Sequence, residues 1–360
     1  MKKAEFLIVA LAVLLVISMN PLSAAARERA EINIPDILGY KTLKCDFHLH
    51  TVFSDGNVWP PIRVDEAWLQ GLDAISITDH LEYQPHDEDI KADHNRSYEL
   101  ARARAEELSL ILVKGSEITR DMPPGHLNAI FIKDSNPLDV DDWREAVRIA
   151  HDQGGLVFWN HPGWERQAPG GVAVWYDEHT DLLEQGLLMG MEVVNHFSYY
   201  PEVFQWAIDK DLTLFGNSDS HQPMAHDFEA EKGEFRPYTL VFAEERSGDA
   251  IREALLDRRS AAVFQRKIIG APRFLEAIFD ESVSMEVDKV SIRGSGRAAF
   301  QVHNRSDIDF VLEGGQSGDP GLWVPQRLTL KAGKTVFLPV RAASEDLSGT
   351  RTIPVTYRAV

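Results

Sequence analysis

Histidine and carboxylate residues occur in short motifs that could together hold metal ions. The chain contains 13 His but only one Cys, and His is a common metal ligand that also acts as an acid or base near neutral pH. In the segment from Asp46 to His50, the alternation of an extended chain puts His48 and His50 on the same side. Two imidazoles that converge in this way can share one ion.

Further motifs of this kind follow along the chain. They are Ser54-Asp55-Gly56, Thr78-Asp79-His80, Gly115-Ser116-Glu117, Gly125-His126, Asn160-His161-Pro162 and Asn217-Ser218-Asp219-Ser220-His221. Each motif alone has a structural explanation, such as a turn or a helix cap. Their joint occurrence favours a metal site, because crowded ionisable groups are costly unless something pairs them. A set of His and carboxylates without Cys suits zinc, iron or manganese.

The motifs follow apolar segments that are separated mostly by helical patterns. The segments predict strands at 42–47, 73–78, 108–113, 128–132, 156–159, 188–194 and 212–215, and the patterns predict helices at 63–70, 96–108, 142–153 and 202–210. This alternation is typical of parallel βα units, and seven such strands favour a barrel. The carboxyl ends of barrel strands share one rim, so the motifs are expected to converge there.

The pattern changes near residue 272. Alternating strands are predicted beyond it at 299–303, 310–312, 335–340 and 353–357, with Gly and Asp turns between them. The sequence therefore predicts an α/β barrel domain over 27–272, followed by a small all-β domain with a sandwich-like architecture over 273–360.

The first 26 residues have the features of a secretory signal peptide. Lys2 and Lys3 precede an apolar run over 6–19, and small residues follow at 23–26. The run is shorter than the roughly 20 residues that span a bilayer. We therefore expect cleavage after Ala26, a mature form without a membrane span, and a periplasmic or extracellular location.

Composition excludes several classes of protein. The chain is 44% hydrophobic and 26% charged, which is typical of a globular protein rather than a disordered one. Its formal net charge of -19 argues against specific binding to nucleic acids, whose phosphates attract basic proteins. Cys45 is the only thiol, so no disulfide can form within the chain.

The order of these motifs between about residues 43 and 265 resembles that of the PHP (polymerase and histidinol phosphatase) phosphoesterases. The resemblance implies a distorted seven-stranded (β/α) barrel with two or three divalent metal ions, whose identity as manganese, zinc or iron stays open. It implies one ion on His48, His50, Glu117 and Asp219. Glu117 would bridge this ion to a second one, which His126 and His161 would also hold. A third ion would be held by Asp55, His80 and His221.

The resemblance also implies a reaction. Clustered ions lower the pKa of a bound water and neutralise phosphoryl charge, so Glu117 has a catalytic role as the bridge, and Asp219 or His221 could pass a proton to the leaving group. Because an Arg fork matches phosphate oxygens, Arg120 and Arg96 are the candidates for binding the substrate.

These features predict an exported metal-dependent phosphoesterase that acts on a small phosphorylated substrate, either a phosphomonoester or a short phosphodiester. Two alternatives stay open. The first is a metallohydrolase of a non-phosphate ester, a lactone or an amide. The second is a noncatalytic protein that metals stabilise and that binds a glycan or a partner. The sequence does not predict the oligomeric state.

Overall fold

The computed structural model describes residues 28–90, 93–286, 296–318 and 320–342, and the backbone of 355–359. The predicted signal peptide, 1–26, lies outside these residues. Within them, no helix combines the length and the apolar character that crossing a membrane requires.

Eleven strands form the main sheet. They are β1 (Lys41–Asp46), β2 (Ala74–Ile77), β3 (Ile111–Ile118), β4 (Leu127–Ile130), β5 (Leu156–Trp159), β6 (Gly190–Asn195), β7 (Ser198–Tyr199), β8 (Thr213–Asn217), β9 (Tyr238–Ala243), β10 (Ser260–Phe264) and β11 (Lys267–Gly270). The strand order is β11-β10-β9-β1-β2-β3-β4-β5-β6-β7, and β8 pairs with the other edge of β6. The Thr239 hydroxyl bonds the backbone of Gly216 and thereby ties β8 to β9. The sheet thus curls into a half-barrel, which agrees with the predicted distorted barrel fold but has eleven strands and not seven.

The directions of the strands differ in part from the expectation of parallel units. β1, β2 and β3 are parallel, as are β5, β6 and β8. The prediction was wrong for the strand placed at 128–132, because β4 runs antiparallel to both β3 and β5. Only the residues 119–126 separate β3 from β4, which is too short for a crossover helix, so this pair forms a hairpin. β9 and β10 are also antiparallel additions.

Helices lie between most of the parallel strands. They are α1 (Pro60–Leu69), α2 (Arg96–Glu107), α3 (Trp143–Asp152), α4 (Asp177–Glu184), α5 (Pro201–Asp209), α6 (Met224–Asp227), α7 (Gly248–Leu256) and α8 (Pro272–Ser282). Short 3₁₀ turns occur at Asn136–Leu138, Pro169–Gly171 and Ala230–Lys232. In α3, Asp142 caps the helix by accepting a hydrogen bond from the backbone N–H of Arg144.

The carboxyl-terminal domain contains two small antiparallel sheets. Their strands are β12 (Val283–Glu286), β13 (Arg297–Asn304), β14 (Phe310–Ser317), β15 (Leu322–Trp323), β16 (Arg327–Leu330), β17 (Thr335–Ala342) and β18 (Val355–Ala359). The orders are β12-β13-β17-β15 and β16-β14-β18. Val302, Leu312, Leu330 and Leu338 form their shared core. This agrees with the predicted all-β fold.

The two parts of the chain are in direct contact. Ile308 of the carboxyl-terminal domain is buried in the same apolar cluster as Phe274 of α8 and Phe242 of β9. The backbone N–H of Asn33 also donates to a carboxylate oxygen of Asp307 at 2.7 Å. The β domain therefore covers part of the apolar surface of the barrel.

Candidate metal centre

The extension of β1 carries the two histidines that begin the site. His48 and His50 are fully buried, and their Nε2 atoms lie 3.1 Å apart. The extension of β8 runs beside them, because the N–H of Asp219 donates to the His48 carbonyl and the N–H of His50 donates to the Ser220 carbonyl. Two motifs far apart in sequence thus lie side by side through backbone hydrogen bonds.

Two carboxylate oxygens approach this pair of Nε2 atoms. Oδ1 of Asp219 lies 3.1 Å from the Nε2 atoms of both His48 and His50. Oε2 of Glu117 lies 3.4 Å from the first and 3.3 Å from the second. Donors that bind zinc at about 2.1 Å in a tetrahedral site lie about 3.4 Å apart. The spacing fits an ion shared by His48, His50 and Glu117, and Asp219 forms a separate candidate group with His48 and His161, so one ion held by all four residues stays a prediction.

The two oxygens of Glu117 face different groups. Oε1 lies 2.9 Å from Nδ1 of His126 and 3.6 Å from Nε2 of His161, and it accepts a hydrogen bond from Asn160 at 2.8 Å. Oε2 faces His48 and His50 and, although buried, has no hydrogen-bond partner among the described residues. A carboxylate that lies between two groups of donors in this way suits a bridge between two ions.

A third group lies near Asp55. Its Oδ1 atom is 3.1 Å from Nε2 of His221 and 3.5 Å from Nε2 of His80. Nδ1 of His50 lies 3.8 Å from the same oxygen. This oxygen is buried and, within the described part of the chain, also lacks a hydrogen-bond partner.

His80 lies closer to Glu117 than the sequence prediction implies. Its Nδ1 atom is 2.9 Å from Oε2 of Glu117 and 2.6 Å from the hydroxyl of Thr119. The donor groups that could each hold an ion are His50-Asp55-His80-His221, His48-His161-Asp219, His48-His50-Glu117 and His80-Glu117-His126. The structure thus brings all nine predicted ligands together, whereas the division into three ions remains a prediction.

Burial and mutual charge set the proton affinities of these groups. Burial raises the pKa of Glu117, but His80, His48 and His126 outweigh it and hold the pKa well below the usual value. Burial, together with His221 and His80, lowers the pKa of His50 to about 3. Glu117 is therefore ionised and His50 neutral near pH 7, as metal binding requires.

The residues present fit a set of divalent ions. The donors are imidazole nitrogens and carboxylate oxygens, which suit zinc, iron or manganese. The buried oxygens Oε2 of Glu117 and Oδ1 of Asp55 have histidine nitrogens nearby but not in hydrogen-bonding geometry. These oxygens and nitrogens converge on a shared point and do not form hydrogen bonds with one another.

Sequence reasoning missed a buried carboxylate behind the site. Glu192 of β6 is fully buried, and one of its oxygens lies 2.8 Å from Nδ1 of His48 and accepts from Asn217 at 2.9 Å. Its other oxygen accepts from the N–H of His161 and from Asn195, both at 2.8 Å. A charged residue within an otherwise apolar strand was the signal that could have identified it.

Two more buried side chains hold the loops that carry ligands. Asp79 accepts from the N–H and the hydroxyl of Thr51 and from the hydroxyl of Ser54, which fixes the turn before Asp55. Arg63 of α1 donates to the carbonyls of His50 and Ser220, both at 2.9 Å. It thereby clamps the ends of β1 and β8 together.

Backbone strain accompanies the ligands. Asp219 has a φ of 50° and His161 a φ of 27°, in the left-handed region that favours glycine. Strain of this kind costs of order 1–3 kcal/mol per residue and persists where the surroundings impose it. Here the surroundings include the Glu192 carboxylate, which holds the His161 N–H.

The two predicted substrate-binding arginines have protein partners. The Arg120 guanidinium pairs with Glu82 and donates to the Val140 carbonyl at 2.7 Å. Arg96 lies at the start of α2 and pairs with Glu99 at 3.1 Å. Their binding of substrate stays a prediction, and both guanidinium groups would have to give up a carboxylate in order to bind a phosphate through the same atoms.

Comparison with known proteins gives several similarities. Residues 283–360 match the sequence profile of an Ig-like domain family. A two-domain protein from Bacteroides vulgatus, which contains a predicted PHP-like metal-dependent phosphoesterase, has a crystal structure with a TM-score of 0.84 and is 44% identical. That match covers 93% of this chain and 100% of the other.

Two further similarities are narrower. An uncharacterized protein of Methanocaldococcus jannaschii is 35% identical over 82 residues, which is 23% of this chain and 36% of that protein's length. An amidohydrolase from Chromobacterium violaceum, solved with bound sulfate, is 16% identical over 50% of this chain and 88% of that chain, with a TM-score of 0.39. A likeness this low carries no argument. The Bacteroides vulgatus match, together with the geometry above, shows that the chain belongs to the PHP-like metal-dependent phosphoesterase family.

Proposed function

We propose that this protein hydrolyses small phosphomonoesters or short phosphodiesters with the help of divalent metal ions. The observation that carries the proposal is the position of Glu117 between two groups of metal donors. Ions that share a carboxylate are suited to phosphoryl transfer because they can neutralise charge on both the attacking and the leaving oxygens. The family membership of the chain agrees with this reaction class.

The chemistry assigns separate roles to the protein residues. Divalent ions on these donors would lower the pKa of a bound water and act as Lewis acids on the phosphoryl oxygens. As the oxygen of water bonds to phosphorus, the bond to the leaving oxygen breaks, and that oxygen takes up a proton.

Asp219 and His221 are the predicted proton donors. Burial raises the pKa of Asp219, but His48, His50 and His221 outweigh it and hold that pKa well below its usual value, which favours His221. The His221 side chain is 31% exposed, so a leaving group can reach it from solvent. Burial lowers its pKa, but Asp55 and Asp219 outweigh this and raise it to about 9. His221 therefore carries a proton at neutral pH whenever it does not bind an ion.

Release of inorganic phosphate from a panel of phosphomonoesters tests the proposal, after loading in turn with manganese, zinc and iron. His48→Ala should abolish the metal-dependent release, because His48 belongs to two of the candidate donor groups. His151→Ala is the matched control, since His151 lies on α3 with a side chain that is 57% exposed. Bound metal without any phosphate release would contradict the proposal for phosphomonoesters and leave a phosphodiester, a non-phosphate ester, a lactone or an amide as the substrate.

We also propose that the mature protein works outside the cytoplasm, on the basis of the basic, apolar and small-residue pattern of residues 1–26. Cell fractionation, with amino-terminal sequencing of the recovered protein, tests this. A mature chain that begins near residue 27 in an extracytoplasmic fraction is the expected result. A cytoplasmic chain that retains residues 1–26 would contradict it.

A further inference from the structure

One side of the metal centre is bordered by an indole ring. Trp164 follows His161 in a turn in which its N–H donates to the His161 carbonyl at 2.9 Å. The centroid of its half-buried ring lies 5.2 Å from that of His161 and 5.6 Å from that of His126, both in edge contact. The indole thus adjoins two candidate ligands of the second ion.

A cation lies against this indole. The guanidinium carbon of Arg166 is 5.5 Å from the ring centroid of Trp164, and the residue is exposed. Among the described residues, no carboxylate lies within ion-pair distance of Arg166. Arg120 and Arg96, by contrast, are paired with Glu82 and Glu99. Within the described part of the chain, Arg166 is therefore a planar cation without a carboxylate partner, although the net charge of the chain is -19.

A second aromatic ring lies near another ligand of the same centre. Tyr83 is 52% exposed, and its ring centroid is 5.9 Å from that of His80. The rings of His80 and His126 are themselves in edge contact at 5.6 Å. A substrate at the ions therefore meets aromatic surface near His80 and near His126.

We propose that Trp164 and Arg166 form the subsite for the leaving group, and that the substrate is a phosphate ester whose leaving group carries a planar aryl or heteroaromatic ring. This inference rests on the proposed function. A planar ring can pack against the indole in an offset or edge-on arrangement. The guanidinium can stack on such a ring or bind a polar substituent of it. An aliphatic phosphate ester offers neither contact.

Binding of two phosphonates to the metal-loaded protein tests this subsite without turnover, because the carbon–phosphorus bond resists hydrolysis. By calorimetry, phenylphosphonate should bind about three- to tenfold more tightly than methylphosphonate, the range expected of one aromatic pair. Trp164→Ala should remove this preference, Trp164→Phe should retain part of it, and Arg166→Ala should reduce it. Trp323→Ala is the matched control and should leave it unchanged, because Trp323 also has an arginine, Arg341, over its ring at 5.2 Å but lies in the β domain.

Equal affinities for the two phosphonates in the unsubstituted protein, or binding of neither, would overturn the subsite. A preference that survives in Trp164→Ala would do the same. Failure of the proposed function has a different signature, in which phenylphosphonate is preferred but 4-nitrophenyl phosphate releases no phosphate. If Trp164→Ala lowers kcat/KM equally for 4-nitrophenyl phosphate and glycerol phosphate, hydrolysis stands and the subsite does not.

Discussion

Replacement of Glu192 by Gln tests whether the carboxylate behind the metal centre sets the proton position on His48. The two oxygens of Glu192 face only donors: the amides of Asn217 and Asn195, the backbone N–H of His161, and Nδ1 of His48. Nδ1 must carry the proton if Nε2 is to bind an ion. The carboxylate thus selects the tautomer of His48 that can act as a ligand.

A glutamine at this position cannot satisfy all four donors. If its NH₂ group faces the His161 N–H, two donors oppose each other in a fully buried place. If the NH₂ group faces His48, Nδ1 must become the acceptor, and the proton moves to Nε2, where it blocks the ion. Loss of such a supporting residue typically lowers metal affinity by about 10- to 100-fold, or about 1.4 to 2.8 kcal/mol.

The measurement is competition for manganese or zinc against a chromophoric chelator, together with the metal content per chain. Glu202→Gln is the matched control, because Glu202 on α5 accepts a hydrogen bond from the Ala173 N–H at 2.9 Å and, within the described part of the chain, makes no hydrogen bond or ion pair with a candidate ligand. Circular dichroism of the metal-free variants separates weak binding from misfolding. A folded Glu192→Gln protein with unchanged metal affinity would refute the reasoning.

Two other changes have defined outcomes. Glu117→Gln should remove most phosphate release and lower the bound metal by more than one ion per chain, because Glu117 faces two donor groups; full metal content would show that it is not the bridge. Burial lowers the pKa of His179 from 6.5 to about 4. Between these two pH values, His179 is therefore protonated in the unfolded chain and neutral in the native protein. Stability should therefore be fully present above pH 6.5 and fall by up to about 3 kcal/mol as the pH approaches 4. His179→Phe should flatten that part of the pH profile of urea unfolding, and an unchanged slope would assign the loss to other groups.

Much of the barrel follows from local patterns in the sequence. The strand at 156–159 is found at the predicted residues, and the helix predicted at 96–108 is α2, Arg96–Glu107. Apolar periodicity identifies such elements because it reports which face of each element is buried. The ligand motifs could also be identified from the sequence, because they place ionisable groups that need a partner at the ends of apolar strands.

Pairing between distant strands could not be read in this way. β9 joins the sheet beside β1, although nearly 200 residues separate them. The apolar pattern of each strand does not indicate that it pairs with the other. The antiparallel direction of β4 follows from the short length of the connection from β3, and not from the composition of that connection. The sequence does show that an acidic residue, Glu192, interrupts an apolar strand, but it does not show which four donors that carboxylate binds.

Some of the candidate ligands depart from ordinary folding rules, as do other residues such as Phe131, with a φ of 60°, and Ser135, whose buried hydroxyl has no hydrogen-bond partner among the described residues. Asp219 and His161 adopt a left-handed backbone without being glycine, and Glu117 and Asp55 each bury an oxygen without a hydrogen bond. Each departure costs free energy that a rearranged turn or a neutral side chain would avoid. The Glu192 carboxylate and the Arg63 guanidinium support these residues from behind, so at this rim the fold maintains a donor geometry that is of use only when something binds there. Stability has been given up for a preorganised centre of donors, which is the pattern expected where ions must be held in fixed positions.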